Sequence, residues 1–190
     1  MHMKGDAQQP DGKTVSVDLS VDQQKNCDGG IEMEGAQADV RHTGGTLYLR
    51  GDEQYWKAAF KGQPGAAKAV PKLKDKWVKM PADDTTSKSL CDKQALMASM
   101  DENKSERKGM KKGDTTTVDG QEALTLTKKT SAGETLTLLV ATKGQPYILK
   151  STTEGGKNPS TAIFSDYDKA VQPPKPAADD TVDLNKLAAS

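Results

Sequence analysis

The stretch GTLYLRGDEQYWKAAF, residues 45–60, changes its hydrophobic period in the middle. Leu47 and Leu49 are two residues apart, which is the period of a strand with one apolar face. Trp56 and Phe60 are four residues apart, which places them on one side of a helix. This stretch therefore predicts a strand that leads directly into a helix.

Most of the aromatic side chains of the molecule lie in or just after this stretch. The chain has only two Trp, four Tyr and two Phe, and five of these eight fall within thirty residues: Tyr48, Tyr55, Trp56, Phe60 and Trp77. Inner strand faces elsewhere carry mostly Val, Leu and Ala, so a sheet needs bulk from its helices. We interpret the cluster as core packed between helix and sheet; the alternative is that it lines an apolar cleft, and the two overlap.

Alternating apolar residues predict strands on both sides of this helical region. Before it, one segment aligns Val15, Val17, Leu19 and Val21, and a second, after the turn NCDGG, aligns Ile31 with Met33. After about residue 111 the alternation returns, and the aligned side chains are Leu124 and Leu126, then Leu136, Leu138 and Val140. Short connections with turn residues favour antiparallel pairing.

Three helices are predicted between the two groups of strands. The first covers residues 53–60, with Asp52 as its N-terminal cap. The second, in residues 66–77, contains Pro71, which kinks or ends a helix. The third covers residues 83–103 and carries Leu90 and Met97 on its apolar side. The predicted class is α+β: a strongly curved antiparallel sheet, or half-barrel, with two or three helices inserted mid-chain and packed on its concave face.

The bulk composition describes a hydrophilic protein with a thin core. Hydrophobic residues make up 34% of its 190 residues, and its 27 Lys and Arg balance its 27 Asp and Glu. A zero net charge argues against a nucleic-acid partner. No run of eighteen apolar residues is present, so no membrane-spanning helix is predicted.

Local composition predicts three parts. Residues 1–12 are polar and begin with MHM, which resembles a cloning remnant, so we predict a disordered leader there. Residues 13–172 are predicted to form a single domain. Residues 173–190 are Pro-rich and are predicted to form an extended tail, with TVDLNKL as a last helical turn.

The sequence contains few residues suited to catalysis or metal binding. His42 is the one histidine outside the leader, and an ordinary surface histidine is the simpler interpretation than a general base. Nucleotide, hydrolase and zinc motifs are absent, so we predict no enzyme, no cofactor and no metal. The acidic group Asp179, Asp180 and Asp183 fits a solvated tail better than a calcium site. The basic run KSERKGMKK, residues 104–112, is either a solvated loop or a contact for anionic head groups.

Cys27 and Cys91 have no CxxC or histidine partner. They are either two buried free thiols or a disulfide, and we predict the disulfide because it suits an exported protein with a thin core. In the chain-entropy model it contributes about 4 kcal/mol.

The order of these segments resembles a family of exported actinobacterial lipoproteins. The residues that carry the likeness are GGTLYLRGDEQYWKAAF, KDKWVKMP and FSDYDKAVQPPKPAADDTVDL, and the likeness extends over about residues 13–187. These segments are similar to those of the LppX/LprG family, whose fold is LolA-like. The resemblance implies a half-barrel whose helices and sheet enclose acyl chains, and a lipid anchor on an N-terminal Cys. That Cys is absent here, and Cys27 does not fit the role because a predicted strand precedes it.

The functional prediction follows from this resemblance together with the predicted faces. We predict a non-enzymatic cell-envelope lipoprotein, outside the cell membrane and monomeric, which binds or carries an acyl chain or lipid between sheet and helices. The alternative is an envelope protein–protein interaction module of the same fold with no ligand. The predicted ligand-binding residues are Leu47, Leu49, Trp56, Phe60, Leu90, Met97, Leu124, Leu126, Leu136 and Leu138.

Overall fold

The computed structural model describes residues 1–80, 90–96, 108–131 and 133–184. The described residues include twelve strands in one mostly antiparallel sheet that is not closed, and two α-helices that follow the fifth strand. This confirms the predicted α+β class with helices inserted mid-chain.

The strands alternate with short turns before and after the helices. The helices are α1 (Glu53–Ala59), α2 (Ala66–Leu73) and the 3-10 helix η1 (Ala178–Asp180). The strands are β1 (His2–Gln8), β2 (Thr14–Val21), β3 (Cys27–Met33), β4 (Ala36–Thr43), β5 (Thr46–Gly51), β6 (Trp77–Lys79), β7 (Lys111–Val118), β8 (Gln121–Lys129), β9 (Thr135–Ala141), β10 (Ile148–Glu154), β11 (Ser160–Ser165) and β12 (Thr181–Asp183).

The chain divides into two compact units. Unit 1 consists of Met1–Asp18 and Met97–Asp168, and unit 2 consists of Leu19–Leu96 and Lys169–Ser190. The predicted domain over 13–172 contained no such division, and the predicted tail over 173–190 belongs to unit 2.

Unit 1 contains the antiparallel strand order β1-β11-β10-β9-β8-β7. Its first strand corrects a prediction, because residues 2–8 pair with β11 in the register His2↔Ser165 to Ala7↔Ser160, where we predicted a disordered leader. This strand is formed by backbone pairing with β11, since its sequence has no apolar alternation. Gly5 permits a close approach, since a Cβ there would collide with the backbone of Thr161.

Unit 2 contains the strand order β12-β6-β5-β4-β3, and β12 is parallel to β6 while the other pairs are antiparallel. Helix α1 lies on β4 and β5. The predicted cap is confirmed, since the Asp52 carboxylate accepts a hydrogen bond from the Tyr55 amide at 2.6 Å. Trp56 is 2% exposed, so the helix is held by a deeply buried side chain.

One local prediction about β3 is wrong. The predicted turn NCDGG instead places Cys27–Gly30 inside β3, where they pair with β4. Met33, which was predicted to lie on the same face as Ile31, is two residues from it in β3 and is 41% exposed. Met33 is the last residue of the strand. The hairpin turn follows at Glu34 and Gly35, both of which have positive φ, so Met33 lies at the exposed end of β3.

The predicted disulfide is confirmed, because Cys27 and Cys91 are bonded and both are buried in unit 2. Only residues 90–96 of the third predicted helix are described; the rest of residues 83–103 lies outside the described residues. In the C-terminal segment the first three residues of the predicted helical turn TVDLNKL, Thr181–Asp183, form the strand β12 instead, and residues 185–187 lie outside the described residues. The backbone of β12 pairs with β6, and a segment of three residues is too short for its sequence pattern to predict this pairing.

Candidate functional site

The ten predicted ligand-binding residues are divided between the two units. Four lie on strands of unit 1: Leu124, Leu126, Leu136 and Leu138. Five lie in unit 2: Leu47, Leu49, Trp56, Phe60 and Leu90. Met97 lies outside the described residues.

In unit 1 the register of β8 and β9 brings the predicted leucines onto one face. Leu126 is directly opposite Leu138, and Leu124 is opposite Val140. Leu136 lies on the same face because residues two apart on a strand point the same way. We call this set the leucine face: Leu124, Leu126, Leu136, Leu138 and Val140.

The leucine face is apolar, and most of it is only partly covered. Leu138 is 5% exposed, whereas the other four side chains are half-buried. Among the described elements of unit 1 there are strands but no helix. The other face of the same strands is mixed, since Thr127 is opposite Thr137, Thr125 is opposite Leu139 and Ala123 is opposite Ala141. The apolar surface is confined to β8 and β9, because Ser151 and Thr153 of the neighbouring β10 lie opposite Leu138 and Leu136.

In unit 2 the predicted residues form packed core. Leu47, Leu49 and Trp56 are all buried, and Phe60 stacks on Trp56 with ring centroids 5.8 Å apart. Tyr48, whose side chain points to the opposite face from those two leucines, is buried as well. Side chains are therefore packed on both faces of β5, and these residues contribute to the core of unit 2.

Trp77 has a structural role that the sequence did not predict. Two guanidinium groups lie over its ring, that of Arg41 at 4.5 Å and that of Arg50 at 4.9 Å from the centroid. Arg41 is also bonded to Asp28, and Arg50 to Asp39. The Trp77 ring is thus held by cation–π contacts with two arginines that are themselves fixed by ion pairs.

A cleft of about 480 Å³ lies at the edge of unit 1, and sequence reasoning missed it. We call it the lysine cleft, and its lining residues are Gly109, Lys111, Thr127, Lys128, Lys129 and Thr135. Lys111 belongs to the basic run noted in the sequence, but Lys128 and Lys129 join it only through the pairing of β7 with β8. The available signal was a second lysine pair, in TKKT at residues 127–130.

One arrangement in unit 1 has the composition of a hydrolase triad. His2 lies 2.7 Å from the Asp18 carboxylate and 3.4 Å from the Ser165 hydroxyl. Hydrogen bonds from His2 and Lys4 hold the pKa of Asp18 below its usual value, so this carboxylate is shared between the two side chains. The three groups lie on adjacent strand positions and none of them lines the lysine cleft. The geometry is that of a surface hydrogen-bond network.

The other histidine, His42, lies opposite Cys27 on the neighbouring strand. Cys27 is bonded to Cys91 and is therefore no nucleophile. The Nδ1 atom of His42 is buried without a hydrogen-bond partner among the described residues. Within the same residues, no three His, Cys, Asp or Glu side chains are grouped for a metal ion.

Two solved structures of mycobacterial proteins resemble this chain over most of its length. The lipoprotein LppX of Mycobacterium tuberculosis has a TM-score of 0.52 and 13% sequence identity, over 90% of this chain and 87% of LppX. LprF of Mycobacterium bovis has a TM-score of 0.54 and 12% identity, over 93% of this chain and 89% of LprF. No family model matches the chain, and no curated protein matches its sequence. The chain therefore has the LppX-like fold that the sequence predicted.

Proposed function

We propose that this protein is a non-enzymatic envelope lipoprotein that binds the acyl chain of a lipid on the leucine face. The observation that carries the proposal is the in-register row of half-buried leucines on β8 and β9. The LppX-like fold supports it, because the resemblance seen in the sequence implies acyl chains held against the sheet.

The physical basis is transfer of methylene groups out of water. Each buried methylene contributes about 0.8 kcal/mol, so a chain lying along several leucines gains a useful affinity without any polar contact. Leucine side chains form no hydrogen bonds, so the surface selects a ligand by its length and shape rather than by its polar groups. A lipid carrier requires this tolerance, and it requires no catalytic group.

A fluorescent fatty acid titrated against the protein tests the proposal. We expect saturable binding that Leu126→Trp weakens by roughly tenfold, since the larger ring fills space on the leucine face. Leu139→Trp is the matched control, because Leu139 lies next to Leu138 on the same strand but points to the opposite face. Binding should be unchanged in that variant.

Two results contradict the proposal. Absence of saturable binding by the unmodified protein is the first, and an equal loss in Leu126→Trp and Leu139→Trp is the second. Either one favours the alternative of an interaction module with no ligand. The exposed edge strand β7, in which seven of eight residues are exposed, is the surface that such a module would offer to a partner strand.

We further propose that the native protein is exported, monomeric and held at the outer face of the cell membrane by an N-terminal lipid anchor. The disulfide supports export, because such bonds persist in oxidising compartments. No described helix is long and apolar enough to cross a bilayer. Membrane fractionation of the native host, before and after lipase treatment, tests the anchor.

A further inference from the structure

Four of the six residues that line the lysine cleft lie on the opposite face of the sheet from the leucine face. Lys111 pairs with Thr127, and Lys129 pairs with Thr135, so these four side chains share one face of the sheet. Leu126 pairs with Lys112 and lies on the other face. A group held by these four residues is therefore on the opposite side of the strands from an acyl chain on the leucine face. Lys128 differs from them, because it lies opposite Leu136 and so on the leucine-face side of β8.

The lining of the cleft carries positive charge and no carboxylate. Three of its six residues are lysines, and the other three are two threonines and a glycine. Among the described residues, Lys111 and Lys129 make no ion pair, whereas most ion-paired lysines of the protein lie in unit 2. Glu154, which lies opposite Thr135 in the strand register, does not line the cleft.

The cleft is partly preorganised by the backbone. The ammonium group of Lys128 donates a hydrogen bond to the Lys108 carbonyl at 2.9 Å, which holds its charge beside the turn before β7. Gly109 in that turn has a φ of +73°, and a Cβ built there meets no atom within 4 Å. The wall is therefore open at this point, and a bound group has room to leave the cleft.

We propose that the lysine cleft binds a phosphate ester. Like charges held close together repel one another, and an anion among them lowers that energy. Lysine binds phosphate as a point charge, and the hydroxyl groups of Thr127 and Thr135 donate hydrogen bonds to its oxygens. The volume of about 480 Å³ exceeds the needs of a bare phosphate and accommodates a phosphodiester with its glycerol.

The phosphate ester is either part of a lipid head group or a soluble molecule. Two arms of one experiment distinguish these sources. The first arm measures co-sedimentation with vesicles of phosphatidylglycerol, with phosphatidylcholine vesicles as the neutral reference. The second arm measures binding of soluble glycerol 3-phosphate by titration calorimetry. The test variant is Lys111→Gln with Lys129→Gln. The matched control is Lys143→Gln with Lys157→Gln, which removes the same charge from two exposed lysines of unit 1 outside the cleft.

We expect the test variant to bind roughly tenfold to thirtyfold more weakly than the control in at least one arm. A loss confined to phosphatidylglycerol vesicles assigns the cleft to a lipid head group, and a loss with glycerol 3-phosphate assigns it to a soluble ester. Equal binding by test variant and control, or no binding by the unmodified protein in either arm, overturns the proposal. Fatty-acid binding on the leucine face should be unchanged in the test variant, so the two proposals fail independently.

Discussion

Asp22 is a buried carboxylate, 4% exposed, that receives hydrogen bonds from four N–H groups. The donors are the amides of Gln24, Asn26 and Val171 and the side-chain amide of Asn26. Burial alone raises the pKa of a carboxyl group, but these hydrogen bonds outweigh it and hold the pKa of Asp22 below 3.8. Folding therefore favours the ionised form of the Asp22 carboxylate.

This pKa shift predicts a loss of stability in acid. Because the folded pKa is depressed, the contribution of Asp22 is present above its unfolded pKa and is lost as the pH falls through the folded value. Asp22→Asn should cost about 1.5–3 kcal/mol of unfolding free energy at neutral pH, and the difference should shrink below pH 3.8. Urea unfolding across this pH range measures both.

The control for this prediction is Asp119→Asn, which removes a carboxylate from an exposed turn. It should leave the unfolding free energy nearly unchanged at every pH. A constant gap between Asp22→Asn and the unmodified protein down to acid pH would show that the charge of Asp22 is not what stabilises the fold.

Trp56 is the second residue on which unit 2 depends. It is 2% exposed, lies edge-on to Tyr55 and stacks on Phe60. Trp56→Ala should cost about 3–5 kcal/mol, because the site loses a large buried ring and retains a cavity. Phe60→Ala should cost about half as much, since Phe60 is only half-buried. Chemical denaturation followed by far-UV circular dichroism compares them, and a cost for Trp56 below about 1 kcal/mol would mean that α1 does not depend on this packing.

At the scale of elements, regular periodicity was enough to predict structure. Leu19 and Val21 in β2 and Leu124 and Leu126 in β8 alternate with polar residues, Leu47 and Leu49 in β5 have the same two-residue spacing, and all lie on predicted strands. The cap Asp52 and the stripe of α1 likewise follow from local chemistry. Each of these signals lies within a few residues of sequence.

The missed elements are held by partners distant in sequence. β1 is polar and pairs with residues 160–165, and β12 is three residues long and pairs with residues 77–79. Neither has an apolar period, so their stability comes from backbone hydrogen bonds to a strand that the local pattern does not reveal. The lysine cleft was missed for the same reason, since the β7–β8 register brings Lys111 to Thr127.

At the scale of the whole molecule, the C-terminal segment, residues 169–190, follows unit 1 in the sequence but belongs to unit 2. Its contacts with unit 2 are distributed along its length. Val171 binds Asp22, the Pro174 carbonyl accepts a hydrogen bond from Arg41, and β12 pairs with β6. Lys76 pairs with Asp180, which raises the pKa of the lysine, and Lys79 pairs with Asp183.

Truncation of the chain after Asp168 should therefore destabilise unit 2 selectively. The truncated protein loses a hydrogen bond to a buried carboxylate, a hydrogen bond to Arg41 and the neighbour strand of β6. A hydrogen bond to a charged group contributes about 1.5–3 kcal/mol, so amide protection in β5 and β6 should fall by roughly tenfold or more. Amides of β8 and β9 serve as the internal control, because every strand that pairs with them lies within residues 97–168. Hydrogen exchange followed by mass spectrometry resolves these peptides, and equal loss of protection in both groups would show that the segment supports the whole chain rather than unit 2.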